Sequence, residues 1–93
     1  MRRIEVSRSA WIDIDRLEDW LVEHEAPYAA DLGIALREAM FGLSDFSERG
    51  RYSGVGALRE LIVPFRSWSY VITYRVTVSS VIIARIHHGL EDR

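Results

Sequence analysis

The chain has 93 residues, 48% hydrophobic and 28% charged, with no cysteine and no lysine; this suits one small globular domain rather than a disordered chain, and the lack of cysteine excludes a disulfide framework, a thiolate zinc site and a thiol nucleophile. The net charge of -2 is polarised, because residues 1–48 hold five arginines against eleven acids and residues 49–93 hold seven against three. An acidic partner would meet the C-terminal half, and so modest a basic bias argues against direct nucleic-acid binding.

Arg2 to Ser7 alternates, with Ile4 and Val6 on one face and Arg3, Glu5 and Ser7 on the other, which predicts a half-buried first strand. Met1-Arg2-Arg3 therefore leads into a strand rather than a signal-peptide core. No apolar run approaches the ~20 residues of a membrane span, so a soluble, cytoplasmic protein is expected. Ser9 is placed to cap a helix in which Ala10, Ile14, Leu17 and Leu21 recur at intervals of three and four, running to about His24. The acids from Asp13 to Glu25 read as the solvated face of that helix.

Pro27 breaks the first helix and fits the first turn of a second. There Tyr28, Leu32, Ala35, Leu36, Ala39, Leu43 and Phe46 repeat at helical spacing. So short a connection makes an antiparallel helix pair. Residues 47–57 hold Gly50, Gly54 and Gly56 among Arg49, Arg51 and Tyr52 and read as a mobile loop with no phosphate-loop spacing. Three strands are expected after it, over 58–63, 69–76 and 81–88. The order β-α-α-β-β-β predicts a single α+β domain over residues 1–93, a helix pair on a mainly antiparallel four-stranded sheet.

In the 69–76 strand, Tyr70, Ile72, Tyr74 and Val76 form the face that packs on the helices, opposite Val71, Thr73 and Arg75. In the last strand Ile82, Ala84, Ile86 and His88 alternate with Val81, Ile83, Arg85 and His87, and both sets are apolar enough to be core. Arg59 shares a face with Leu61 and Val63. If half-buried at the sheet margin it needs an anionic partner, for which Glu91, Asp92 or an acid of a binding partner would serve. His87 and His88 point to opposite faces and cannot readily chelate one ion, so no metal and no cofactor is expected. No Gly-x-Ser-x-Gly elbow marks a serine hydrolase. Trp11, Trp20, Trp68, Tyr52 and Phe65 are numerous for this length; most are expected in the core, with Phe65 and Trp68 beside Arg66 as a protein-binding surface.

Three motifs in order, Leu58-Arg59-x-Leu61, Tyr70-x-Ile72-x-Tyr74-Arg75-Val76 and Arg85-Ile86-x-His88-Gly89-x-x-Asp92, resemble the RelE/ParE toxin superfamily of bacterial type II toxin-antitoxin systems. The element order and length agree with it along the whole chain. The resemblance implies one of two activities: RelE-like members cut messenger RNA on the ribosome, and ParE-like members inhibit DNA gyrase without a recognised catalytic site. Val71 stands where RelE-like toxins place an arginine, and no tyrosine follows Tyr74. Little is then left to stabilise charge at a cleaved phosphate, and the ParE-like reading is favoured.

A RelE-like site would have to be built from Arg59, Arg75, Arg85 and His88. The resemblance further implies a ParD-like antitoxin encoded beside the toxin, whose amphipathic segment folds as it binds. Contacts with antitoxin or target are expected at Arg59, Phe65, Trp68, Arg75, Arg85 and His88, and on the helix pair. A third reading, a non-toxic antitoxin-binding remnant, rests on Glu91-Asp92 standing where many relatives are basic.

Overall fold

The computed structural model describes residues 1–91 and shows β1 (Arg3–Val6), α1 (Arg8–Glu23), α2 (Ala29–Gly42), β2 (Arg51–Tyr52), β3 (Arg59–Phe65), β4 (Trp68–Val76) and β5 (Ser80–His88). The strands form one sheet in the order β1-β5-β4-β3-β2, with β1 parallel to β5 and the other neighbours antiparallel. The α+β class and helix pair are as expected. The sheet has a fifth strand, because Arg51 and Tyr52 of the expected loop pair with Glu60 and Arg59.

Ser7, not Ser9, caps α1. Its Oγ accepts the Ala10 N–H at 3.0 Å and donates to the Ala84 carbonyl at 2.8 Å, so one hydroxyl closes the helix and ties it to β5. Ser9 already lies in the first turn, since strand and helix are joined by Ser7 alone. The far end of α1 closes before Pro27. The Ala26 N–H reaches the Leu21 carbonyl and the Glu25 N–H the Val22 carbonyl, with Glu25 at φ 58°. This Schellman turn satisfies the terminal carbonyls with a glutamate where glycine is usual. Pro27 lies outside α2, whose N-cap is Tyr28, and α2 stops at Gly42, leaving Phe46 71% exposed.

Buried Ala10, Ile14, Leu17 and Leu21 of α1 and Leu32, Leu36 and Met40 of α2 pack on one sheet face, supplied by Leu61, Val63, Tyr70, Ile72, Tyr74, Val81, Ile83 and Ile86. At Gly33 of α2 the ends of the Glu18 and Arg37 side chains occupy the space that a Cβ would take.

Simple alternation fails in β5. Tyr74 pairs with Ile83 but Thr73 with Arg85, so Ala84 is an extra residue opposite the Thr73/Tyr74 step. This bulge reverses the phase. Val81 and Ile83 before it and Ile86 and His88 after it all face the helices, while Ile82, Arg85 and His87 face outward, which corrects the expected grouping. At the other end β3 runs through Pro64 to Phe65 and β4 starts at Trp68, so the expected five-residue connection is a two-residue turn with Arg66 at φ 56°. Pro64 is tolerated because β2 pairs only with Arg59 and Glu60, leaving the rest of β3 as an edge.

Candidate functional site

Two surfaces of the sheet carry the chemistry-bearing residues. On the outer face, where it meets the edge of α1, Glu60, Thr73, Arg85 and His87 line a cavity of about 390 Å³ with Ser53, Leu58 and Arg16 of α1. On the helix side a larger cavity of about 700 Å³ opens between α1 and the end of the sheet where β4 begins and β5 ends.

Arg85 is positioned by Asp13. The guanidinium donates through Nε to Asp13 Oδ2 at 2.8 Å and through Nη2 to Oδ1 at 3.0 Å, and the Ile86 N–H adds a third bond to Oδ2 at 2.8 Å. Burial pushes the Asp13 carboxyl up, but the bonds from Arg85 and Ile86 outweigh it and hold the group below its usual range. Asp13 is only 2% exposed, so it leaves the solvated face assigned to the acids of α1; Asp15, Asp19, Glu23 and Glu25 remain exposed and Glu18 is half-buried. The signal was available, because Asp13 falls on the Ala10, Ile14, Leu17 stripe. The same carboxylate lies 3.6 Å from Arg16, which pairs with Glu91 at 2.8 Å.

His87 is buried, and its Nε2 has no hydrogen-bond partner among the described residues. Burial pushes the imidazole down, against the opposite effect of nearby Glu91 and Asp13. His88 faces the helices, its ring centroid 5.1 Å from both Trp68 and Tyr70, and its Nδ1 accepts the Leu90 N–H. The two histidines thus lie on opposite faces, as alternation requires.

Leu61 and Val63 are core, and Arg59 is half-buried beside them, but its contacts are backbone carbonyls: Nη1 donates to Gly50 at 2.8 Å and Glu48 at 3.4 Å. Glu91, one of its expected partners, is taken by Arg16, and Asp92 lies outside the described residues. Gly50 is held in turn by Tyr74, whose buried hydroxyl accepts the Gly50 N–H at 2.7 Å and donates to the Ser47 carbonyl at 2.9 Å. Arg75 is exposed on the outer face opposite Ile82. The four residues proposed for a nuclease are therefore divided between the two faces, Arg59 and His88 with the helices and Arg75 and Arg85 outside.

The aromatic surplus is not core. Trp11, Trp20, Tyr52 and Trp68 are 38%, 52%, 63% and 44% exposed, because the first two fall off the buried stripe of α1 and the others lie on short or terminal strand positions. Phe65 is half-buried between Tyr28 and Tyr70, and Arg66 stacks over Tyr28 at 4.1 Å.

A helix pair on one face of this sheet, with the described residues of the three sequence motifs on or next to β3, β4 and β5, is the architecture of RelE/ParE-superfamily toxins. Residues 4–93 match the family described as the ParE toxin of type II toxin-antitoxin system, parDE. The chain belongs to that family. It is 46% identical over 88 residues to Toxin RelE1 of Caulobacter vibrioides, spanning 95% of this chain and 94% of the relative. Toxin RelE3 of the same organism is 39% identical over 94 residues, the full length of both. The solved structure titled "Chromosomal ParDE TA system from P. aeruginosa" matches with a TM-score of 0.83 at 25% identity, covering 95% of this chain and 96% of the other.

Proposed function

We propose that this toxin acts in the ParE manner, arresting growth by inhibiting DNA gyrase, and that a ParD-like antitoxin encoded beside it holds it inactive. The observation that carries this reading is the division of Arg59, Arg75, Arg85 and His88 between the two faces of the sheet. Phosphodiester cleavage needs cationic and proton-transferring groups converging on one phosphate. Here Arg85 is engaged by Asp13, His88 is packed against two aromatic rings, and Val71, at the position of the RelE-type arginine, is 2% exposed. Such a toxin works by binding.

The match to a ParDE system supports the antitoxin, as do the apolar side chains exposed on the helix pair, among them Trp11, Ile12, Ile34 and Phe41. Action on gyrase places the protein in the cytoplasm, and the pairing with an antitoxin suits plasmid stabilisation. No described helix is long and apolar enough to cross a membrane.

One observation favours a second reading. The outer-face cavity brings Glu60, His87 and Arg85 together with Thr73, a combination of carboxylate, imidazole and guanidinium that a RelE-like endoribonuclease could use.

Expression of the chain without its antitoxin, with primer extension across abundant messengers, separates the readings. Growth arrest with full-length messengers is expected. Arrest accompanied by codon-positioned cuts would establish the endoribonuclease, and unchanged growth with folded protein would establish a non-toxic remnant.

A further inference from the structure

We propose that the helix-side groove between α1 and the β4–β5 end of the sheet is a docking site for an apolar segment of the antitoxin that carries a basic side chain; this rests on the toxin-antitoxin reading above.

The apolar and aromatic lining of the groove is Leu17, Trp20, Trp68, Tyr70, His88 and Leu90, and its volume of about 700 Å³ would accept several side chains of a partner helix or strand. Its rings are held in place from within the chain. The His24 imidazole stacks on one face of Trp20 at 3.8 Å and bonds through Nδ1 to the Trp20 carbonyl, while His88 packs edge-on against Trp68 and Tyr70. Two tryptophans 52% and 44% exposed and Leu90 78% exposed surround one cavity, an apolar surface that water solvates poorly.

Charge selects the occupant. The groove is lined by Asp19, Glu23 and Glu91 against one arginine, Arg16. That arginine is engaged by Glu91 and lies beside Asp13, so its charge is balanced within the chain. The remaining carboxylates, on the half of the chain that holds eleven acids against five arginines, give the rim a negative potential. An acidic segment would be repelled. A lysine or arginine between apolar anchors would meet both the carboxylates and the aromatic rings, and cation–π attraction adds to the ion pairs.

The experiment uses the full chain, the antitoxin encoded beside it, and two synthetic helical peptides with one leucine pattern, one bearing arginines and the other glutamates. Calorimetric titration is expected to show the arginine peptide binding about tenfold or more tightly than the glutamate peptide, a difference of about 1.4 kcal/mol. Asp19→Lys with Glu23→Lys should abolish that preference, and Trp20→Ala should weaken the arginine peptide about tenfold. The same variants should weaken the complex with the antitoxin. All three positions are solvent-exposed, and circular dichroism verifies that the variants fold.

Equal binding of the two peptides, preference for glutamate, or self-association of the chain that Trp20→Ala abolishes would overturn the proposal. If the antitoxin binds the wild-type chain and all variants equally, the groove assignment alone fails. If it binds none of them, including the wild type, the toxin-antitoxin reading fails with it.

Discussion

Asp13 links α1 to β5 at the level of single atoms. Beyond Val6 the parallel partner of β5 ends, and the Ile86 N–H is satisfied by a carboxylate from the helix instead. Asp13→Ala leaves that buried N–H unpaired and should cost about 1–3 kcal/mol. Arg85→Ala should cost less, because the Arg85 side chain is 63% exposed and water can replace it. Urea unfolding of the two variants checks this order, and the reverse order would mean that the ion pair, not the backbone bond, holds the junction. Burial of His87 gives a second signature. Its folded-state pKa is lowered, so in acid the unfolded chain binds a proton that the folded chain does not, and stability should fall as the pH drops below about 6.5. Asp13, also lowered, contributes stability present above about 3.9 and lost only in stronger acid. His87→Gln should flatten the fall below 6.5 in thermal melts, and an unchanged slope would assign it elsewhere.

Among the elements, periodicity revealed those that have a long apolar pattern. Both helices, the four strands β1, β3, β4 and β5 and the inward set Tyr70, Ile72 and Tyr74 follow from spacing alone. The bulge at Ala84 left no mark, because Ile82, Ile83 and Ala84 are all apolar and either phase satisfies a buried strand. β2 was hidden for a different reason: two residues carry no period, and its pairing with β3 is a tertiary choice. The site was less readable than the fold: the apolar stripe of α1 marks Asp13 as buried, but its partners Arg85 and Ile86, and the place of Glu60 beside them, emerge only when α1, β3 and β5 are brought together. Tyr74 anchors the segment before β2, accepting from Gly50 and donating to Ser47. Tyr74→Phe preserves the ring and leaves both backbone groups without that partner, so it should destabilise by about 1–3 kcal/mol. Earlier hydrogen exchange around residues 47–52 than elsewhere would show that the loss is local, and uniform exchange would contradict this anchoring role.

At the scale of the whole molecule, the polarised charge acquires a spatial meaning. The acid-rich half supplies α1 and the negative rim of its groove, while the arginine-rich half supplies most of the sheet. The two faces then differ in chemistry: an apolar and acidic helix side, where the proposed antitoxin groove lies, and an outer sheet face bearing Arg75 and Arg85. The family motifs in the sequence identified the superfamily but not the target, because the motif residues Arg59, Tyr74 and Arg85 also perform structural work.

The most direct measurement adds purified chain to DNA gyrase in a supercoiling assay, with and without the antitoxin. The ParE-like account predicts lost supercoiling and trapped gyrase–DNA cleavage complexes that the antitoxin prevents. Undisturbed supercoiling by a folded chain that still arrests growth would contradict it.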